Sequence, residues 1–346
     1  MTPPVRVIGW YGHANSGDEA FKDVHRLIAP HLDWQYFAPR DMQRLAEAGR
    51  GQVAGERVVL LSAGDIVNRF YTDHLPADVP VVAYGVGLGW PGQAEVLAAL
   101  GERLRAVWVR NEADVQPLAA LGVAARATPD IVFALHGHLP RDRVTLDKPR
   151  KRAIVVVSDN MRADVLRGGD RRRYHALQFF LDELAESVAY LMKYYQVVLV
   201  PFSFDANDYD LAAIYDLRPR ITGSARDEVV ILEERLSPLA MMAFFGSADL
   251  VVTMKFHGAI YAMLQGVPFV AISDARKIKL LCAENEMLAL HIPIREFNAE
   301  IFKHQLKVAE SDTVRDMVVA RRDGLVAAAR EQAAAFLATL HGLMAA

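Results

Sequence analysis

Short apolar runs rich in β-branched residues alternate with helical patterns along almost the whole chain of 346 residues. The first apolar run is Val5–Gly9, and an amphipathic stretch at Asp18–Ala29 follows it. Strand, helix and strand recurring at spacings of roughly 20 to 30 residues are typical of parallel βαβ units, whose helices cover both faces of one sheet. The pattern therefore predicts a doubly wound α/β fold.

The same pattern gives approximate bounds for the individual elements. In the first part of the chain it predicts strands at Val5–Gly9, Trp34–Phe37, Val58–Ser62, Val79–Tyr84 and Ala106–Arg110, and helices at Asp18–Ala29, Asp41–Ala48, Gln93–Leu104 and Asn111–Leu121. In the second part it predicts strands at Ala153–Ser158, Val197–Pro201, Val229–Leu232, Leu250–Thr253 and Phe269–Ile272, and helices at His175–Tyr195, Asn207–Leu217, Pro238–Gly246, Gly258–Gln265 and Arg276–Glu286. The alanine-rich tail at Thr313–Leu343 predicts a long terminal helix.

The chain length points to two domains, because a single core rarely grows beyond roughly 250–300 residues. The segment Leu139–Arg152 contains two prolines and many charges beside few apolar residues, as linkers do. We therefore expect one Rossmann-like domain at residues 1–146 and a second at residues 147–346, which includes the terminal helix. Two such domains are expected to face a cleft, with ligands beyond the carboxyl ends of the strands.

Composition and charge exclude several classes of protein. The 39 basic and 42 acidic residues nearly cancel, whereas a nucleic-acid-binding protein usually has a basic surplus, so no nucleic-acid partner is expected. The single cysteine, Cys282, excludes an internal disulfide and a cysteine-based metal centre, and the histidines lack metal-ligand spacing. The first residues do not resemble a signal peptide, and no run of about 18 apolar residues occurs, so a cytoplasmic protein is expected.

A glycine-rich loop, Gly12–Glu19, follows the first predicted strand and leads into a helix. Such a loop presents backbone N–H groups and the positive end of a helix dipole, which suit an anion. It is not a nucleotide P-loop, because Asp18 and Glu19 stand where that motif requires Lys and Ser or Thr. Either the acidic pair only stabilises the start of the helix, or Asn15, Asp18 and Glu19 contact a substrate.

Two further loops of small residues follow the third and fourth predicted strands, at Ser62–Asp65 and Gly85–Gly89. Each loop by itself indicates a tight turn, which glycine permits. Because the carboxyl ends of parallel strands meet at one edge of a sheet, both loops are expected to converge with Gly12–Glu19. Asp65 is therefore a further candidate for contact with a ligand.

The sharpest local signal is the sequence of Thr253–Gly258, TMKFHG, which follows a very apolar strand and opens a helix. Residues two apart in an extended stretch point the same way, so Lys255 and His257 are predicted to project together beside a helix N-terminus, where they would hold a carboxylate or phosphate. The alternative is a surface lysine and a histidine that caps its own helix. Lys277 follows the next strand in a basic cluster, and is either another anion ligand or part of a solvated helix face.

Together these segments resemble the polysaccharide pyruvyl transferases, which move a pyruvyl group from phosphoenolpyruvate to a sugar. The loop Gly12–Glu19 is similar to the family's Gly-Asn-x-Gly-Asp-Glu turn. The other segments that carry the resemblance are Val107–Glu112, Leu121–Val123, Thr128–Asp130, Ala248–Gly258, and Ala262–Pro268 followed by Lys277. They occur in the family's order. The family usually has arginine at the position of Lys255, where lysine keeps the charge but lacks the planar fork of a guanidinium.

The resemblance implies a GT-B-like fold and a transferase that forms a pyruvyl ketal on a sugar of a polysaccharide or of its lipid-linked precursor. It implies phosphoenolpyruvate as the donor and a glycan or lipid-linked oligosaccharide as the acceptor. No cofactor and no metal are expected. A lipid-linked acceptor would make the enzyme peripheral to the inner face of the membrane. Whether the protein is a homo-oligomer is left open.

Ketal formation requires cations for the donor anion, an acid for its methylene carbon and a base for the sugar hydroxyl. We expect His257 and Asp18 to be catalytic, and Lys255, His257 and Lys277 to bind the donor. Acceptor binding is expected from Asn15, Asp18, Glu19 and Asp65. Two alternatives stay open: a GT-B glycosyltransferase that uses a nucleotide sugar, and a sugar-binding or regulatory module without catalytic activity.

Overall fold

The structure, a computed structural model, describes residues 4–38, 41–42, 57–76, 78–140, 147, 150–168, 171–206, 208–223 and 225–345. Most of the helix expected at Asp41–Ala48 lies outside these residues, apart from its first two positions, which are helical. Much of the linker expected at Leu139–Arg152 also lies outside them, including residues 141–146 directly before the expected domain boundary. The chain forms two compact units. Unit 1 comprises Met1–Gly12, Asp18–His136 and Gly324–Ala346, and unit 2 comprises His13–Gly17 and Gly137–Asp323.

Unit 1 contains a six-stranded sheet in the order β2-β1-β3-β4-β5-β6, in which all neighbouring strands are parallel. Its strands are β1 (Val5–Ile8), β2 (Trp34–Phe37), β3 (Val59–Gly64), β4 (Val81–Val86), β5 (Leu104–Val109) and β6 (Arg126–Ala127). From β1 the chain first adds β2 on one side and then β3 on the other. The topological switch point, where ligands bind in such sheets, therefore lies between the carboxyl ends of β1 and β3.

Among the helices described beside this sheet are α1 (Ser16–Ile28), α2 (Arg69–Thr72), α3 (Gln93–Ala98) and α4 (Val115–Ala120). The helix α1 forms because its apolar side chains recur at helical spacing: Ala20, Phe21 and Val24 are all fully buried. Its first turn carries the acidic residues Asp18 and Glu19, which favour the positive end of the helix dipole.

Unit 2 contains a second six-stranded parallel sheet, in the order β11-β8-β7-β12-β13-β14, and a two-stranded antiparallel hairpin of β9 and β10. The strands are β7 (Arg152–Val156), β8 (Gln196–Val200), β9 (Phe204–Asp205), β10 (Asp208–Tyr209), β11 (Val230–Ile231), β12 (Leu250–Thr253), β13 (Phe269–Ile272) and β14 (His291–Ile292). The switch point of this sheet lies between β7 and β12.

The remaining helices lie in the second part of the chain, between the strands of this sheet or after the last of them. They are α5 (Asn160–Gly168), α6 (Arg171–Leu191), α7 (Asp210–Leu217), α8 (Ala225–Glu228), α9 (Pro238–Phe245), α10 (Phe256–Leu264), α11 (Arg276–Glu284), α12 (Ala299–Ala309) and α13 (Asp312–Ala345). Short 3₁₀ helices lie at Gly101–Arg103, Glu112–Asp114, Ile131–Leu135, Arg218–Arg220, Leu288–Leu290 and Ile294–Glu296. Among the described residues, none of the helices combines the length and the apolar composition that crossing a membrane requires.

The last part of α13 belongs to unit 1 and is bound there by aromatic contacts. The ring of Phe336 stacks on that of Tyr84 with 4.0 Å between centroids, and Trp108 Nε1 donates a hydrogen bond of 3.1 Å to Gln332 Oε1. Phe336 is fully buried. The predicted α/β fold, doubly wound in each half and closed by a long C-terminal helix, is thus confirmed.

Candidate functional site

Helix α10 begins directly after β12, at the switch point of the second sheet. Lys255 is its N-cap residue with extended backbone (φ −107°, ψ 141°), whereas His257 already lies in the first helical turn. The prediction that both side chains project together from an extended stretch is therefore wrong. In a strand, side chains two residues apart point the same way. Helical backbone starts at Phe256, so the side chains of Lys255 and His257 point in different directions.

His257 is packed against Gly17. A Cβ atom added to Gly17 would lie 2.0 Å from Nδ1 of His257, so any larger residue at position 17 would collide with the imidazole ring. One turn further along α10, the hydroxyl of Tyr261 donates a hydrogen bond of 2.8 Å to the backbone oxygen of Ser16. His257 itself is only 8% exposed. The short segment at Ser16 and Gly17 therefore fixes the position of the imidazole.

Lys255 lies between two carboxylates of unit 2. Its Nζ donates to Oδ2 of Asp208 at 2.8 Å and lies 3.0 Å from Oδ1 of Asp210. Burial disfavours the charged ammonium, but the carboxylates of Asp210 and Asp208 outweigh burial and raise the pKa of Lys255 above its ordinary value. Lys255 is therefore a cation whose charge is compensated inside the protein.

Asp210 connects Lys255 to two neighbouring strand ends. Its carboxylate is fully buried and accepts hydrogen bonds from the backbone N–H groups of Asp159 at 2.9 Å, Phe202 at 2.9 Å and Ser203 at 2.8 Å. These residues follow β7, which adjoins the switch point, and its neighbour β8. Sequence analysis did not identify Asp208 or Asp210. The only signal in the sequence was the unusual alternation of acids in Asp208-Tyr209-Asp210.

Lys277 also approaches the start of α10. It lies in the first turn of α11, which follows β13, and its Nζ is 5.7 Å from the centroid of the Phe256 ring. Its side chain is half-buried, whereas the neighbouring Arg276 and Lys279 are exposed. The structure thus brings Lys277 and His257 to the same helix end, and leaves the rest of the basic cluster on a solvated face.

The loop before α1 is held by its own polar side chains. Asn15 caps the helix, since its Oδ1 accepts a hydrogen bond of 3.0 Å from the backbone N–H of Gly17. Glu19 accepts hydrogen bonds from the backbone N–H of Gly12 and from Nζ of Lys22, both at 2.7 Å. Both residues therefore have an evident structural role, and their predicted acceptor contacts stay predictions.

Asp18 and Asp65 lie at the switch point of unit 1, after β1 and β3. Gly64 has a left-handed backbone (φ +76°), and a Cβ atom there would be 3.1 Å from Oδ1 of Asp18. Burial and, to a smaller extent, the Asp18 carboxylate raise the pKa of Tyr71. The sheet therefore presents two carboxyl groups at its carboxyl edge, as the convergence of the loops predicts.

Asp65 is bound by a buried arginine. A guanidinium N–H of Arg110 donates to Oδ1 of Asp65, and Nη1 of Arg110 lies 3.8 Å from Oδ2 of Asp130. The Arg110 side chain is 1% exposed. A Cβ atom on Gly87 would lie 2.6 Å from Oδ1 of Asp65, so glycine is required for the loop after β4 to pass this ion pair. Arg110 and Asp130, which follow β5 and β6, thus determine the position of Asp65.

The sequence matches the family model described as polysaccharide pyruvyl transferase over residues 15–275. The chain belongs to the polysaccharide pyruvyl transferase family. It is therefore a transferase, and the matched range contains Asn15, Asp18, Glu19, Asp65, Lys255 and His257. Lys277 lies just beyond that range. Comparison with curated protein sequences gives no match.

Solved structures with low sequence identity share the fold. A UDP-GlcNAc 2-epimerase from Neisseria meningitidis bound to UDP-GlcNAc has a TM-score of 0.62 at 12% identity, over 96% of this chain and 99% of that chain. Anabaena Alr3699/HepE in complex with UDP and glucose has a TM-score of 0.54 at 13% identity, over 97% and 99%. The spinosyn forosaminyltransferase SpnP has a TM-score of 0.53 at 12% identity, over the whole of both chains. The likeness identifies the GT-B-like fold.

Proposed function

We propose that the protein transfers the pyruvyl group of phosphoenolpyruvate to two hydroxyls of one sugar and so forms a cyclic ketal. The acceptor sugar belongs to a polysaccharide or to its lipid-linked precursor, and with a lipid-linked acceptor the enzyme works at the inner face of the membrane. Beside the family membership, the observation that carries this proposal is the imidazole of His257, fixed by Gly17 at the start of α10. A held proton donor beside an anion-binding helix end is what this donor requires.

The reaction consists of two steps that balance. In the first, a sugar hydroxyl attacks C2 of phosphoenolpyruvate and loses its proton to a base, while an acid protonates the methylene carbon to a methyl group. In the second, another hydroxyl of the same sugar attacks C2, its proton is released, and the C–O bond to phosphate breaks. The products are the pyruvyl ketal and inorganic phosphate. We assign the protonation of the methylene carbon to His257.

For the donor we propose the carboxyl edge of the unit 2 sheet. Lys277 and the N–H groups at the start of α10 hold the phosphate or carboxylate there. We expect Lys255 to contribute little to donor affinity, because Asp208 and Asp210 already compensate its charge. Its main contribution is to keep the turn before His257 in place.

For the acceptor we propose the carboxyl edge of the unit 1 sheet. Asp18 is the base that takes the proton of the attacking hydroxyl. Asp65 is engaged by Arg110 and accepts a hydrogen bond from another sugar hydroxyl. Asn15 and Glu19 act mainly by shaping the loop that presents Asp18.

The second candidate function is glycosyl transfer from a nucleotide sugar. It is supported by the ligands of the similar structures, which are UDP-GlcNAc in one and UDP with glucose in another. The two functions differ in the leaving group. The first releases inorganic phosphate from phosphoenolpyruvate, and the second releases a nucleoside diphosphate from the nucleotide sugar.

The experiment mixes the purified protein with each donor and a panel of glycans and lipid-linked oligosaccharides, and measures both products. We expect phosphate release that requires phosphoenolpyruvate and acceptor, and that His257→Gln abolishes. Glutamine preserves the approximate shape of the side chain but cannot protonate carbon. Release of nucleoside diphosphate instead would identify the glycosyltransferase, and release of neither product would contradict both functions.

A further inference from the structure

A cavity of about 800 Å³ opens in unit 1 beside the loops that follow β3 and β4. This volume lies within the range of roughly 300–1,000 Å³ that is usual for small-molecule sites. The cavity lies between α2 and α3, and its lining includes Asn68, Arg69, Trp90, Gln93 and Glu95. None of these residues belongs to the site described above.

Trp90 is exposed at the rim of this cavity although its loop is held firmly. Its side chain is 70% exposed. Its backbone N–H donates a hydrogen bond of 2.8 Å to Gln93 Oε1, and two residues earlier the N–H of Leu88 donates one of 3.1 Å to the buried Asp114. A tryptophan side chain is usually mostly buried, so an indole that a fixed loop exposes to water is unusual. Tryptophan is also enriched among the residues that contribute most of the binding energy at interfaces.

Gln93 supplies a second, independent sign of a ligand. The residue is only 4% exposed and lines the cavity. Its Oε1 is used by Trp90, whereas its Nε2 has no hydrogen-bond partner among the described residues. A buried amide donor without a partner costs about 1–3 kcal/mol. A hydroxyl oxygen that enters the cavity and accepts from Nε2 would recover this loss.

The chemistry of the lining fits a sugar. A pyranose ring has an apolar face of C–H groups, which packs on an indole ring, and an equatorial belt of hydroxyls, which exchanges hydrogen bonds with amides and carboxylates. Gln93 and Asn68 provide amides, and Asp73 and Glu95 provide carboxylates. Arg69 is outnumbered by these two acids, so the lining does not favour a phosphate.

The cavity lies close to the proposed acceptor site of the same unit. A Cβ atom on Gly89 would lie 3.2 Å from Cγ of Asp65, and Trp90 is the next residue in the chain. On the other wall, Asn68 follows Asp65 by three residues. The cavity therefore lies within a few residues of Asp65 along both of its walls.

We propose that this cavity is a subsite that binds the sugar next to the reacting one in the acceptor glycan, with Trp90 as its stacking platform and Gln93 as a hydrogen-bond donor. The subsite rests on the proposed function, because it presumes that unit 1 takes the acceptor. Binding of a second sugar there would let the enzyme prefer a glycan chain to a free monosaccharide, without further contacts to the sugar that reacts.

The test measures glycan binding directly and without phosphoenolpyruvate. Gluco-, manno- and galacto-oligosaccharides of one to four sugars are titrated into the protein, and binding is followed by tryptophan fluorescence and calorimetry. We expect at least one series to bind, with affinity rising from the monosaccharide to the disaccharide. Trp90→Ala should lower that affinity about tenfold or more, and Trp90→Phe should retain part of it.

Two matched variants sharpen the test. Gln93→Glu keeps an oxygen for the Trp90 N–H but removes the Nε2 donor, and should weaken binding about threefold or more. Phe179→Ala removes another aromatic side chain, 60% exposed on α6 of unit 2, and should leave binding unchanged. All variants should bind phosphoenolpyruvate as the wild type does.

The subsite is refuted if no oligosaccharide binds at millimolar concentration, or if Trp90→Ala binds within twofold of the wild type. Glycan binding that depends on Trp90, in a protein that releases no phosphate from phosphoenolpyruvate, would support the subsite and contradict only the proposed reaction. The two failures are thus distinguishable.

Discussion

Gly17 lies against the imidazole of His257 so closely that a Cβ atom would be 2.0 Å from Nδ1 of the ring. Gly17 is not among the glycines with a positive φ, so the close approach alone requires glycine here. Two residues of unit 2 that are far apart in the sequence, Gly17 and His257, therefore depend on each other through this contact. The glycine positions the imidazole.

The substitution Gly17→Ala should impair catalysis by displacing His257. A displacement of about 1 Å at a catalytic group costs on the order of 100-fold in rate. The added methyl group also overpacks the contact, which should lower the free energy of unfolding by about 1–3 kcal/mol. Phosphate release and urea denaturation measure the two effects.

The double variant Gly17→Ala/His257→Ala provides the control for this contact. Removing the ring makes room for the methyl group, so the double variant should regain the stability that Gly17→Ala loses, but not the activity. Additive losses of stability would show that the methyl group disturbs something other than His257. Near wild-type activity of Gly17→Ala would contradict the role of His257 itself.

Lys255→Met should destabilise the protein as well as slow the reaction. The substitution leaves the fully buried Asp210 and its neighbour Asp208 without their cation. Removing one partner of a buried ion pair typically costs about 3–5 kcal/mol. Chemical denaturation monitored by circular dichroism measures the loss.

Lys255→Arg is the matched variant, because a guanidinium can bind two carboxylates and is the family's usual residue at this position. It should unfold within about 1 kcal/mol of the wild type and keep its affinity for phosphoenolpyruvate. If Lys255→Met proved as stable as the wild type but bound the donor much more weakly, Lys255 would be a donor ligand rather than a residue that holds the turn.

The sequence predicted the fold well where strands are fully buried. The bounds of β12 and β13 agree with the prediction at both ends, because Leu250–Thr253 and Phe269–Ile272 are continuous apolar runs between turn residues. Both strands are buried along their whole length, as central strands of a parallel sheet are. The same signal is absent from the two-residue strands β9 and β10, which sequence analysis missed.

The sequence predicted which residue types lie at the strand ends, but not which of them pair. Lys255 and Asp208 meet because the β9–β10 hairpin folds back toward the end of β12. Strands of two residues are too short to show an alternating pattern in the sequence. The direction of His257 was mispredicted because the helix starts at Phe256, two residues before the expected start. Trp90 was overlooked because exposure cannot be read from an isolated aromatic residue.

The buried His25 should make stability fall in mild acid. Its Nε2 is 3.1 Å from Ser62 Oγ, and its ring stacks on Trp34 with 5.1 Å between centroids. Burial, with a smaller contribution from the charge of Arg26, lowers the pKa of His25 from its ordinary 6.5 to about 3. Between these values the unfolded chain binds a proton that the folded protein does not, so the free energy of unfolding falls as pH falls.

For one such group the slope approaches about 1.4 kcal/mol per pH unit. We expect the variant His25→Gln to lose this slope, whatever its absolute stability. The measurement is the free energy of unfolding between pH 7 and about pH 5, a window above the ordinary pKa values of carboxyl groups. Equal slopes in the two proteins would mean that His25 is not the group responsible.

The substitution Asp18→Asn should lower turnover without lowering the affinity for the donor. The carboxylate of Asp18 is assigned to the acceptor hydroxyl, and an amide of nearly the same shape cannot take its proton. Turnover should therefore fall by about 100-fold or more, while calorimetric titration gives a donor affinity close to that of the wild type. Asp23→Asn, five residues later on α1, is the control and should leave both quantities unchanged, since Asp23 pairs with the exposed Arg26. A large loss of phosphoenolpyruvate affinity in Asp18→Asn would instead place the donor in unit 1 and reverse the assignment of the two units.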